Sequence, residues 1–209
     1  MLAVILRVLG ALVLLTPLAR DARPVPSDSS LPPFGRDTVL VYKSSNENEV
    51  FVVRIAEFAP DRYMEWEDAT AQGTIFIPAK VVAEGRALVN YQLFQPGVDT
   101  RGKDATTLWL SRRMFRKLKE NQKPKLMIDG LPTLVTVLGS DQMAIEVNRS
   151  PRSVPVIKTR DERGAERWFL DLEDNPLLVN LLVRNYQQKL ASITTDRPNT
   201  LRWIKGKKK

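Results

Sequence analysis

The side chains able to do chemistry in this chain are carboxylates, amines, guanidinia and hydroxyls, because its 209 residues include no His and no Cys. That composition excludes a Ser-His-Asp relay, His- or thiolate-ligated metals and thiol redox chemistry. The carboxylates gather in two clusters, Glu65 with Glu67 and Asp68, and Asp171 with Glu173 and Asp174. On a strand, Glu65 and Glu67 point to one face about 7 Å apart, a separation that paired-carboxylate glycoside hydrolysis can use. A solvated strand face provides the same pattern. No spacing in the chain sets an acid and a nucleophile across a substrate, so no catalytic residue is assigned. Neither cluster has the Asp/Asn/Gly periodicity of an EF-hand loop, and no metal or cofactor is assigned. Asp129-Gly130 lacks the Thr or Ser that an aspartic protease turn places between these residues, and it reads as a hairpin turn. Ser111 lacks a Lys three positions on and reads as a helix cap rather than a nucleophile.

Binding chemistry is better represented. Trp66, Trp109 and Trp168 each sit in an apolar alternation, where core packing is the ordinary role. In a sheet that curls, some of these rings with Tyr63, Tyr91 and Phe94 would line a concave pocket suited to a glycan or an acyl chain. These six are the candidate ligand-binding residues. Arg112, Arg113, Arg116, Lys117 and Lys119 surround a narrow stripe of Met114, Phe115 and Leu118. They are candidate contacts to an anion or a membrane surface, although a stripe so narrow suits packing on a sheet better than interfacial binding. Trp203 lies in the basic tail that ends in Lys205 to Lys209, where it would suit lipid headgroups if the tail were ordered.

Strands must position these residues. Residues 38–42 and 50–58 are β-branched and aromatic runs that form a first hairpin. Residues 62–68, 74–77 and 87–94 read as further strands, with room for a turn of helix over 78–86 and a polar loop over 95–104. A short strand over 106–110 leads into the helix at 111–122, which stops before Pro124. Residues 133–138 and 142–147 read as strands separated by Gly139-Ser140-Asp141. Residues 154–159 and 167–172 flank a turn at 161–164. The run 176–195 fits a helix starting at Pro176 or a hairpin turning at Arg184-Asn185. The near-continuous apolar stretch 177–183 favours strands buried on both faces.

The domain plan follows from composition. Residues 1–19 are apolar with Arg7 as their one charged side chain, and they read as a signal peptide, with a retained N-terminal membrane anchor as the alternative. Residues 20–36, rich in Pro and Ser, form a leader or linker. Residues 37–195 make a single β-rich domain, and 196–209 a basic tail. The fold class expected is mainly β (α+β), a curved antiparallel sheet or partly closed barrel with one amphipathic basic helix near 111–122. The net charge of +8 is diffuse, which with export argues against nucleic acid. The function expected is therefore that of an exported, periplasmic or secreted envelope protein of non-enzymatic type. Its partner would be an apolar or anionic envelope lipid, a glycan or another protein, with peripheral membrane contact. The alternatives are a carboxylate-dependent glycan hydrolase and a structural module of an envelope assembly.

Overall fold

The computed structural model describes residues 31–45, 49–120 and 123–196. The signal segment 1–19, the leader up to residue 30 and the basic tail from 197 onward, with Trp203 and Lys205 to Lys209, lie outside the described residues.

The chain begins as an antiparallel meander of β1 (Val39–Ser44), β2 (Val50–Glu57), β3 (Arg62–Glu67) and β4 (Gln72–Ile77). Alternation drives it, since Val53, Ile55, Met64, Trp66, Ile75 and Ile77 all point to one buried face. The short helix α1 (Ala79–Glu84) follows, its Ala79 N–H donating to Asp61. Next come the short strands β5 (Ala87–Leu88), β6 (Asp99–Arg101) and β7 (Ala105–Thr106). The helix α2 (Arg112–Lys119) is capped by the Ser111 hydroxyl, which accepts from the Met114 N–H at 3.3 Å. Its stripe of Met114, Phe115 and Leu118 is buried against the sheet, as the spacing predicts.

The second half is β8 (Lys125–Ile128), β9 (Leu131–Val147), β10 (Ser150–Asp161), β11 (Glu166–Leu170), β12 (Leu178–Val183) and β13 (Tyr186–Thr194), successive antiparallel neighbours. β13 pairs with β1, so the two halves form one mixed sheet. It also pairs in parallel with the end of β9, Ser192 beside Glu146 and Ile193 beside Val147, which closes β9 to β13 into a ring. The protein is thus mainly β, a curved sheet partly closed into a barrel, with two helices.

Four local expectations are corrected. The expected strand 106–110 ends at Thr106, because Leu108 takes a left-handed backbone at φ +58, and Trp109 beyond it forms only a single bridge with Leu177. Residues 133–138 and 142–147 are one strand: Gly139 adopts φ +148, a conformation that favours glycine, and the β9–β10 register shifts there instead of turning. The expected strand 87–94 pairs only over Ala87 and Leu88, because the Asn90 backbone and side-chain N–H groups donate to the Asp129 carboxylate and draw the chain away as a loop. The loop 95–104 contains β6, which pairs with β4. The ambiguous run 176–195 is a hairpin turning at Arg184 and Asn185, with Val183 opposite Tyr186.

The shift at Gly139 has a packing role. Before it, Val135 of β9 faces one core with Ile157, Phe169, Leu181 and the α2 stripe. After it, Met143, Ile145 and Val147 face a second core on the opposite side, with Val154, Val156 and the meander. A one-residue slip flips every later side chain, so the odd positions of β9 serve both cores. β12 and the residue before it are buried on both faces, with Leu177 and Val179 in one core and Leu178 and Leu181 in the other, which explains why residues 177–183 are largely apolar without alternation. Leu31 and Phe34 also pack on the meander's core, the Phe34 ring 5.5 Å from that of Phe58.

Candidate ligand-binding site

The β2–β3 hairpin sets Phe51 and Trp66 side by side, with ring centroids 6.1 Å apart. The loop following β5 lays Phe94 edge-on across both, at 4.9 Å from Phe51 and 5.6 Å from Trp66. Edge-to-face packing at these distances holds rings rigidly. Tyr91, from the same loop, and Tyr186, at the start of β13, complete the wall. Together they border a cavity of about 450 Å³, within the range of about 300–1,000 Å³ common for small-molecule sites.

The two carboxylates of the lining are engaged by neighbouring groups, whereas Trp66 Nε1 and Asn90 Oδ1 are buried without a hydrogen-bond partner. Asp68 accepts from the Thr70 N–H, the Thr70 hydroxyl and the Ala71 N–H at 2.7, 2.9 and 2.7 Å. Glu49 accepts from the Ser44 hydroxyl at 3.1 Å. Tyr91 is 54% exposed, yet its phenol is held above its ordinary value by partial desolvation first, then by its hydrogen bond with Tyr186 and by the Asp129 and Glu49 carboxylates. It is therefore a neutral phenol at any physiological pH.

Gly73 sits beneath the Trp66 ring. A Cβ there would lie 2.8 Å from both Trp66 Nε1 and the Gln95 carbonyl oxygen, and that backbone oxygen has little freedom to retreat. Gly73→Ala is expected to lower stability by about 1–3 kcal/mol and to shift the Trp66 ring. Urea unfolding and the tryptophan emission maximum of the folded protein measure the two effects.

Of the six aromatic candidates, Trp66, Tyr91 and Phe94 meet at this cavity. Tyr63 projects from the other face of β3, opposite Phe76. Trp109 is buried in the core, where its Nε1 donates to Asn175 at 2.8 Å and its ring meets the Arg62 guanidinium at 4.6 Å. Trp168 lies under the Lys158 ammonium at 4.2 Å. Phe51 and Tyr186 escaped the sequence reading. Phe51 was a signal in hindsight, as the aromatic residue that starts the alternation of β2, whereas Tyr186 sits in a hairpin whose identity was open.

In the carboxylate clusters, Glu65, Asp171, Glu173 and Asp174 are paired with cations. Glu65 pairs with Arg54, which also reaches Asp37 at 2.9 Å, and these hydrogen bonds raise the guanidinium's proton affinity. Glu65, Glu67 and Asp99 do border a shallow depression of about 320 Å³, in which Asp99 accepts from the Thr74 hydroxyl. The second cluster faces α2. Arg112 pairs with Asp174 at 3.6 Å, Arg116 with Glu173 at 3.3 Å and Lys119 with Asp171 at 2.9 Å. Three of the five basic candidates thus oppose acidic side chains of residues 171–174. Such exposed pairs contribute about 0–1 kcal/mol each, but they set acidic side chains against three of the five cations that α2 would offer an anionic surface. Among the described residues no helix is long and apolar enough to cross a membrane.

Fold and site together define a mainly β protein with an aromatic-walled cavity at the join of a meander and a partly closed barrel. No family model, curated protein or solved structure matches the chain.

Proposed function

We propose that this is an exported envelope protein that holds an apolar or anionic ligand in the aromatic cavity without turning it over. The observation that carries the reading is the convergence of Phe51, Trp66, Tyr91, Phe94 and Tyr186 on one cavity of about 450 Å³. Binding rather than catalysis is supported by the engagement of Glu65 with Arg54 and of Asp68 with its own turn. The outermost strands, β6 and β7, are three and two residues long and give little template for strand addition, whereas β9 has β10 as its one strand neighbour over residues 135–145 among the described residues. Export rests on the composition of residues 1–19 and of the leader that follows.

The test is native mass spectrometry of the protein recovered from its own cell envelope, with a denaturing mass on the same sample. An added mass that disappears on denaturation, and a chain shortened at its N-terminus, are the expected results. Phe94→Ala removes one wall and is expected to weaken binding of decanol at least about tenfold. A bare chain that also fails to bind decanol overturns the binding reading, and a denaturing mass of the full chain overturns signal cleavage.

A further inference from the structure

The aromatic cavity does not stand alone. A second cavity, of about 830 Å³, adjoins it, and Asn90, Tyr91 and Tyr186 line both. Its far wall is made by two hairpin turns. The β10–β11 turn contributes Arg163, β11 contributes Arg167, and the β12–β13 turn contributes Arg184, whose backbone is left-handed at φ +53.

The acids of this cavity are already committed. Asp161 accepts from the Arg163 and Ala165 N–H groups with one oxygen, at 2.9 and 3.0 Å, and from Arg167 Nη1 with the other, at 2.8 Å. Both Asp129 oxygens accept from Asn90. The cations are less satisfied. Arg163 reaches only the neutral Thr133 hydroxyl with its Nη2, at 2.6 Å. Arg184 makes no ion pair among the described residues. Arg167, by contrast, is buried and ion-paired with Asp161, so it offers the cavity no free charge. Arg163 and Arg184 thus present two guanidinia without an anionic partner among the described residues to one space, which favour a planar or tetrahedral oxyanion.

Resting on the reading of the aromatic cavity as a ligand site, we propose that the ligand is an anionic amphiphile. Its carboxylate or phosphate head lies between Arg163 and Arg184, its single apolar chain lies against Phe51, Trp66 and Phe94, and the Tyr91–Tyr186 pair marks the junction. The chemistry fits each part: the head finds donors and positive charge, the chain finds rings, and neither half of the ligand faces the wrong environment.

The experiment is a titration of the purified protein followed by tryptophan fluorescence, with decyl phosphate, decanol, decylphosphocholine and inorganic phosphate, each below its micellar concentration. Decyl phosphate is expected to bind at least about tenfold more tightly than decanol or decylphosphocholine, and inorganic phosphate far more weakly. Arg163→Gln with Arg184→Gln, both at exposed turn positions, is expected to bring decyl phosphate to the level of decanol and to leave decanol unchanged. Equal affinity for decyl phosphate and decanol, or indifference to the double substitution, overturns the anionic head while apolar binding stands. Equal affinity for decylphosphocholine overturns the requirement for net negative charge. Inorganic phosphate binding as tightly as decyl phosphate overturns the chain. If neither decanol nor decyl phosphate binds, the ligand-site reading itself fails and this proposal with it.

Discussion

Replacing Asp161 by Ala is expected to lower the unfolding free energy by about 3–5 kcal/mol, read from the urea midpoint at constant slope. The Asp161 and Arg167 side chains are 1% and 6% exposed and meet at 2.8 Å. Taking either partner away strands the other's charge in a poorly hydrated place, which costs more than the pair itself contributes. Asp161 has a second role, because its other oxygen accepts two N–H groups of the turn that carries Arg163 and Gly164. The two roles separate experimentally. Asp161→Asn combined with Arg167→Met keeps a turn acceptor and removes both charges, and it is expected to remain within about 1.5 kcal/mol of the parent. A double variant as unstable as Asp161→Ala would show that the charges were not the source of the loss.

Trp109→Ala is expected to cost a similar amount, about 3–5 kcal/mol, for a different reason. The side chain is 1% exposed, packs 6.4 Å from Phe58, and hydrogen-bonds Asn175. Its ring and that of Phe58 also cover the Arg62 guanidinium, each centroid 4.6 Å from Cζ. Arg62 has no carboxylate partner in the described residues; it donates to the Asp174 carbonyl at 3.2 Å, and its Nε and Nη1 are unsatisfied. Burial, reinforced by Arg112, pushes its proton affinity down to about 9. The folded state thus holds this proton less tightly than the unfolded state, so the charge subtracts from stability throughout the range below that value. That loss fades only as the pH rises above it. The two cation–π contacts, up to about 2 kcal/mol each when desolvated, offset much of it at neutral pH. Arg62→Met is accordingly expected to change stability by less than about 1.5 kcal/mol, in contrast with Trp109→Ala. Thermal and urea unfolding of the two variants side by side decide the matter.

Arg62 also shows where the sequence stops being informative. It occupies the same face of β3 as Met64 and Trp66, all three buried, yet nothing local distinguishes a buried arginine from one that ends a strand. Turn chemistry was legible where it is local. Asp129-Gly130 takes two left-handed conformations and closes the β8–β9 hairpin, as a two-residue turn of this type requires. Gly139 misled because a glycine in a bulge and a glycine in a turn have the same signature, and only the partner strand distinguishes them. The site was half legible. Trp66, Tyr91 and Phe94 stood out as aromatic residues in patterned segments, but the cavity arises when the loop after β5 meets two hairpins distant in sequence. The acidic residues 171–174 were visible as a cluster, while their pairing with α2 depends on a tertiary encounter.

The shift at Gly139 has a mechanical side. Because β9 is clamped by one core before that point and by another after it, neither core can loosen without moving a strand that the other one grips. The two behave as spans of a bridge resting on one girder, so strain set up in either is carried into the other.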